Sequence, residues 1–150
     1  MKSLGKVVLL GVVLLGLGSQ ALGQRPEPPS AEEQAVKYRQ SIFTMLNWKM
    51  GKLAEAKQAG DVEAFRKQAG DMVYLAGLIT EGFIPNSKVS GSRAKEDVWK
   101  DWDKFVETAN EFQGKARELA APGYDMSSFD PRDFGGNACG SCHRPFRERD

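Results

Sequence analysis

The chain's two cysteines and its single histidine lie together near the C-terminus. Cys139, Cys142 and His143 form a C-x-x-C-H sequence, which is the pattern of c-type haem attachment. Thiols at this spacing can add to the two vinyl groups on one edge of a porphyrin, and the adjacent imidazole can then bind the iron as its proximal ligand. The motif therefore predicts one covalent haem c, with His143 as the metal ligand.

Three other interpretations of the motif need features that the sequence lacks. A zinc site usually has four Cys, His or carboxylate ligands, and no further cysteine or histidine is present. A thioredoxin-like redox pair needs a strand leading into a helix at the first cysteine, and no strand-like alternation precedes Cys139. A disulfide across two intervening residues would close a very short loop and stabilise the fold little.

The single histidine also restricts the iron's sixth position. With His143 as the proximal ligand, ligation by two histidines of this chain is impossible. The sixth position is then either open or filled by a methionine, a lysine or an exogenous ligand. A peroxidase-like enzyme is not expected, because no distal histidine is present to act as acid or base.

The N-terminus has the composition of a secretory signal peptide. Two lysines precede an apolar run over residues 7–17, and small and polar residues follow up to Gln24. The run is too short, and too interrupted by glycine, for the roughly 20 apolar residues that a membrane-spanning helix needs. We therefore predict that residues 1–23 are removed during export to the periplasm, and that residues 24–150 form one domain without stable membrane insertion.

The domain that carries the motif is predicted to be all-α. Ser30 and Glu33 form a capping box for a first helix, and Asp61 and Asp130 are positioned to cap two others. The first three helices carry apolar residues at alternating spacings of three and four, which is typical of faces packed in a bundle. These patterns predict an antiparallel four-helix bundle with the covalent haem near the C-terminus. The predicted helices span residues 31–58, 62–81 and 93–119, with a fourth from residue 131 that a glycine pair at 135–136 weakens.

With its haem motif at the end of the bundle, the sequence resembles the cytochrome c′ family. The resemblance is strongest over residues 35–41 (AVKYRQS), at Val98-Trp99 and over residues 139–147. It implies a periplasmic protein, often homodimeric, whose high-spin haem iron is five-coordinate through histidine and binds NO and CO. Low-spin proteins of the same fold instead place a methionine on the iron.

The resemblance also implies roles for individual residues. Arg39 matches an arginine near a haem propionate, with Gln40 beside it, and Phe43 matches the residue that covers the distal iron face. Arg147 matches a basic residue against the proximal face. Arg39 and Phe43 are four residues apart on one helix, so both side chains can face the haem. Ser92 and Arg93 are further candidates to reach a propionate.

Two functions from different classes follow. The first is a gas-binding protein with an apolar distal pocket, which can also take part in electron transfer with a redox partner protein. The second is a low-spin electron-transfer cytochrome in which Met45, Met50 or Met72 ligates the iron. Phe43 and the methionines could also be ordinary core residues. Without the two leader lysines the chain has 21 − 2 = 19 basic and 20 acidic residues, and no basic patch suggests nucleic-acid binding.

Overall fold

A computed structural model of the chain describes residues 27–85 and 87–149, and the predicted signal peptide lies outside these residues. Within them the structure has six α-helices and one isolated β-bridge, and no strand. The helices form the four segments of an antiparallel bundle, as the sequence predicted. The two long helices at the N-terminal end are single elements, whereas the third and fourth segments are each built from two helices.

The first helix, α1, spans Ala31–Ala59 and has the predicted cap at each end. The Ser30 hydroxyl accepts a hydrogen bond from the Glu33 amide at 3.2 Å, and the Glu33 carboxylate accepts one from the Ser30 amide at 2.9 Å. Gly60 ends the helix with a φ of 69°, a left-handed conformation that glycine adopts without steric cost. The helix thus begins at the predicted residue and ends one residue later than predicted.

The second helix, α2, spans Val62–Gly77 and is shorter than the predicted 62–81. The chain continues as a 3-10 turn over Ile79–Gly82, which lies directly against α1. A Cβ atom at Gly82 would come within 2.7 Å of the Arg39 Cβ and 3.1 Å of the Arg39 amide nitrogen. The turn therefore needs glycine at this contact, and its tighter winding brings the following loop under Arg39.

The third segment is broken into α3, Asp97–Lys100, and α4, Trp102–Ala120. The break falls at Asp101, whose φ of −115° and ψ of 48° are not helical. The predicted start at residue 93 was wrong, because residues 93–95 pair with the C-terminal segment instead. The Lys95 amide donates to the Phe146 carbonyl at 3.0 Å, and the Glu148 amide donates to the Arg93 carbonyl at 2.8 Å.

The fourth segment runs without a gap through α5, Pro131–Phe134, a π-helical turn, Gly135–Cys139, and α6, Gly140–Phe146. Asp130 caps it by accepting from the amides of residues 132 and 133, and Pro131 occupies the first turn, as predicted. The glycine pair does not end the helix, but it lies in the widened turn. π-helical turns often lie at functional sites, and this one ends at the first cysteine of the motif.

The core lies mainly where α2 packs against α1 and α4. On α1, Val36, Leu46 and Leu53 are buried as the periodicity predicted, but Phe43 and Met50 on the same face are only half-buried. Both half-buried side chains line a cavity that separates α1 from α4 and α6.

Candidate haem site

The cavity consists of two adjoining lobes with volumes of about 560 and 590 Å³. Each lobe lies in the range of about 300–1,000 Å³ that is typical of cofactor and ligand sites. Among the described residues, four line both lobes: Phe43, Asn47, Cys142 and His143. We call the space at these four residues the junction. One side of the junction is formed by α1 and the other by the haem motif on α6.

The haem motif presents all three of its functional side chains to the cavity. Cys139, the last residue of the π-helical turn, lines the second lobe, and Cys142 and His143 line both lobes. The two thiols are not joined as a disulfide. Burial raises the pKa of Cys139, and burial together with the neighbouring Cys139 raises the pKa of Cys142 to about 11. Burial of the two sulfurs therefore favours the protonated thiol over the thiolate.

His143 faces the ring of Phe43 across the junction. The two ring centroids are 6.1 Å apart with an interplanar angle of 71°. Burial lowers the pKa of His143, and the positive charges of Arg147 and Arg93 lower it further. These surroundings favour the neutral imidazole, which is the form whose free nitrogen can bind a metal.

Phe43 is held from the other side by Phe83. Their centroids are 6.4 Å apart in an edge-to-face arrangement, and Phe83 in turn packs on Phe105 at 4.6 Å. The structure therefore places the Phe43 ring opposite His143, and its role of covering the distal iron face stays a prediction. Its ring is part of an aromatic wall that continues from the junction into the core.

Arg39 lines the first lobe, but its guanidinium is committed to the loop that follows α2. Nη1 donates to the Gly82 carbonyl at 2.7 Å and the Ser87 hydroxyl at 2.8 Å, and Nη2 donates to the Ser87 carbonyl and the Ser92 hydroxyl, both at 2.7 Å. The side chain also lies over the Phe83 ring at 4.7 Å. Burial lowers the pKa of Arg39, although its surroundings are rich in acceptors. The propionate contact stays a prediction, and the loop already binds all four terminal N–H groups.

The other predicted binding residues line the part of the first lobe that faces solvent, which we call its mouth. Its side chains are exposed or half-buried: Gln40, Ser92, Arg93 and Arg147. Gln40 donates from Nε2 to the Gly91 carbonyl at 2.8 Å, which fixes it beside the lobe. Ser92, Arg93 and Arg147 also line this lobe, and the isolated β-bridge between residues 94 and 147 brings the two arginines together. A mouth with two arginines suits the carboxylates of a haem, whereas the interior of the cavity is mostly apolar.

Of the three methionines considered as iron ligands, only Met50 lines the cavity. It lines the second lobe and is not among the residues that line the first. Met45 is 42% exposed on the outside of the bundle, and Met72 is fully buried in the core. The two latter residues are therefore poorly placed to reach an iron atom beside His143.

Sequence reasoning missed several residues of the site. Asn47 could have been found, because it follows Phe43 by one helical turn and so shares its face. Ser87 carries no sequence signal, since only the fold brings it to Arg39. Phe83 and Phe146 also line the first lobe, and both lie in segments whose position depends on long-range contacts.

The cavity fits a haem by its own chemistry. Two thiols and a neutral imidazole converge on one end, aromatic and aliphatic side chains form the walls, and arginines stand at the mouth. These donors on a helical bundle place the chain in the class of c-type haem proteins.

Comparisons with known proteins place the chain within this class. A family model described as Cytochrome C' matches residues 34–147, and the chain belongs to the cytochrome c′ family. As a member of this family it carries one covalent c-type haem.

Relatives align with the chain over most of their own length. The cytochrome c′ of Halomonas halodenitrificans is 31% identical over 128 residues, which cover 77% of this chain and 96% of the relative. A cytochrome c-554 of Cereibacter sphaeroides is 30% identical and covers 79% of this chain and 83% of the relative. The crystal structure of cytochrome c′ from Rubrivivax gelatinosus superposes with a TM-score of 0.66 at 29% identity, covering 78% of this chain and 97% of that one.

A second similar structure is a nitric oxide complex of a cytochrome c′ variant from Alcaligenes xylosoxidans. It has a TM-score of 0.68 at 25% identity and covers 81% of this chain and all of that one.

Proposed function

We propose that this chain is an exported haem protein that binds NO and CO at a high-spin, five-coordinate iron, and that it is a binding protein rather than an enzyme. The observation that carries the proposal is the junction, where the Phe43 ring faces His143 and none of the described methionines is present. When bound, haem supplies an iron with one open position at which a neutral diatomic molecule can bind.

The residues of the junction suit this function because they disfavour water and anions. Phe43 has no hydrogen-bonding group, and its contact with Phe83 keeps an apolar ring opposite the proximal imidazole. Water and free anions lose hydration on entering such a space, whereas NO and CO lose little. The nitric oxide complex of the Alcaligenes xylosoxidans variant gives this proposal a precedent in a similar fold.

Absorption spectra of the ferric and ferrous protein, with and without CO, test the proposal. We expect a high-spin spectrum in both states and a clear shift when CO is added to the ferrous form. A low-spin spectrum that CO leaves unchanged would contradict the proposal.

The alternative is a low-spin electron carrier, and one observation favours it. Met50 lines the second lobe together with both cysteines, so a rearrangement of α1 could bring its sulfur toward the iron. In that case Met50→Leu converts a low-spin spectrum to a high-spin one, whereas Met45→Leu, on the outer surface, leaves the spectrum unchanged. If the parent protein is already high-spin, this alternative is excluded.

Export to the periplasm is part of the same proposal and rests on the leader sequence. Among the described residues, the structure contains no helix of sufficient length and apolarity to cross a bilayer. The intact mass of the exported protein should correspond to a chain that begins near Gln24. A mature product that still carries Met1 would contradict the predicted cleavage.

A homodimer is the remaining part of the proposal, and an exposed aromatic surface supports it. Tyr38, Met45 and Trp48 share one face of α1, and Tyr74 on α2 lies close enough to Tyr38 to influence its pKa. Trp48 is 64% and Tyr74 71% exposed, so the bundle core does not use these side chains. Large apolar groups clustered on a surface often mark a protein contact. Sedimentation should show a dimer at micromolar concentration that Trp48→Glu dissociates, and a monomeric parent protein would refute this.

A further inference from the structure

The junction contains one polar side chain that the proposed function does not use. Of the four residues that line both lobes, Cys142 and His143 are committed to the cofactor, and Phe43 is apolar. The fourth residue, Asn47, is therefore the only hydrogen-bonding side chain left among the described residues of the junction. It differs from the arginines and Gln40, which line the first lobe alone.

The position of Asn47 on α1 directs its amide toward the space beside Phe43. Asn47 follows Phe43 by four residues, so the two side chains are stacked on one face of the helix. Helical side chains lean toward the N-terminus of their helix, which brings the Asn47 amide over the turn that carries Phe43. Although Asn47 is exposed, it lines both lobes beside Phe43, so we expect its side-chain amide to be near a small ligand that displaces the Phe43 ring.

The side-chain amide of Asn47 also has no hydrogen-bond partner among the described residues. It forms no hydrogen bond with any residue in 27–85 or 87–149. Thr44, a neighbour that lines the first lobe, differs in this respect because its hydroxyl donates to the Gln40 carbonyl at 2.8 Å. Asn47 therefore has two N–H donors available, and a rotation about its side chain can present either the nitrogen or the oxygen.

We propose that Asn47 determines ligand specificity by donating a hydrogen bond from Nδ2 to a small ligand held at the junction. Such a donor stabilises ligands that carry negative charge on their outer atom, for example a small anion, more than it stabilises CO. The inference rests on the proposed function, since it requires the sixth position to be open on the side of Phe43. With this donor, the pocket beside Phe43 is apolar except for one N–H group directed at the ligand.

The test compares Asn47→Leu with Thr44→Val, two substitutions that nearly preserve side-chain shape. Azide is the anionic probe for the ferric protein and CO the neutral probe for the ferrous protein. We expect Asn47→Leu to weaken azide binding roughly tenfold, the effect of losing one hydrogen bond to a charged group, and to change CO affinity much less. The C–O stretching frequency of the CO complex should rise in Asn47→Leu, because a donor near the bound ligand lowers it. Thr44→Val should change neither measurement.

The C–O stretching band decides the inference. If Asn47→Leu leaves the band where it is in the parent protein, the amide does not reach the ligand and the inference is wrong, whatever azide does. A shift of equal size in Thr44→Val would also overturn it, because the effect would then belong to general polarity. If the parent protein binds no CO at all, the proposed function fails first and the inference fails with it. Failure of the inference alone thus leaves a protein that binds CO normally.

Discussion

Replacing Phe43 by alanine should strengthen and accelerate CO binding. The Phe43 ring occupies the junction opposite His143, so a ligand can bind there only after the ring has moved. Moving the ring costs free energy that the new bond to the ligand must offset. An alanine at this position leaves the space open, and that cost disappears from both the affinity and the barrier to association.

The structure sets the size of the effect. Displacement breaks the edge-to-face contact between Phe43 and Phe83, whose centroids are 6.4 Å apart. Such an aromatic pair contributes about 0.5–1.5 kcal/mol. A ring pushed off its preferred rotamer costs about another 0.5–1.5 kcal/mol. A total of about 1–3 kcal/mol corresponds to an increase in CO affinity of roughly five- to 140-fold.

Flash photolysis of the CO complex, combined with equilibrium titration, measures both quantities. Phe83→Leu, which removes the partner that holds the ring, should produce a smaller increase in the same direction. Phe129→Leu is the matched control, because its ring is fully buried against Phe65, away from the cavity, and its loss should lower stability without changing CO binding. A high-spin parent protein with the same CO affinity as Phe43→Ala would refute the idea that this ring covers the ligand site. A low-spin parent with unchanged rates would favour the electron-carrier alternative.

Three further predictions concern stability and cofactor attachment. Arg39→Met should lower the free energy of unfolding in urea by about 2–6 kcal/mol, because it leaves the buried Gly82 and Ser87 carbonyls without donors at a cost of about 1–3 kcal/mol each. A loss below about 1 kcal/mol would contradict this role. Asp71→Asn should cost about 0.5–1 kcal/mol at neutral pH, because hydrogen bonds from Lys49 and then Lys67 lower the pKa of this partly exposed carboxyl. A carboxyl with a lowered folded pKa contributes stability above its ordinary pKa and loses it as pH falls through the lowered value, so the two proteins should converge in acid, and a constant difference would refute the ion pair. Acid-acetone extraction should leave the haem with the polypeptide, and a colourless protein pellet would show that no thioether bonds had formed.

The parts of the fold that could be predicted from the sequence depend on local interactions. Ser30 and Glu33 close a capping box within one turn, and Gly60 ends the same helix through its own backbone freedom. Asp130 and Pro131 start the fourth segment in the same local way. These capping interactions join residues two or three apart, so they can be read directly from the order of amino acids.

The parts that were missed depend on contacts between distant residues. Residues 93–95 have helix-forming side chains, but their backbone groups bond to residues 146 and 148 across the bundle. The end of α2 was similarly set by the packing of Gly82 on Arg39, which is 43 positions away. Local propensity is a weak preference that tertiary hydrogen bonds and packing can override.

The candidate site shows the same division. The haem motif and the Arg39–Phe43 face were visible in the sequence, because the first is contiguous and the second repeats at helical spacing. Asn47 carries an ordinary surface residue type, and only the cavity shows that it stands at the junction. The two arginines at the mouth come from segments about 50 residues apart, joined by a single bridge between residues 94 and 147.

Arg39 links these observations in a way that the sequence alone did not suggest. The resemblance placed Arg39 near a haem propionate, but neutral acceptors within the protein bind all four of its terminal N–H groups. Because those acceptors lie between Gly82 and Ser92, Arg39 fixes the loop that leads to Arg93 at the mouth of the cavity. Contacts within the protein therefore help to shape the mouth. The junction is different, since the Phe43 ring faces His143 there in an apolar part of the cavity. The chain thus combines a polar rim with an apolar centre, and the Phe43→Ala variant tests whether this one ring sets the access of ligands to the iron.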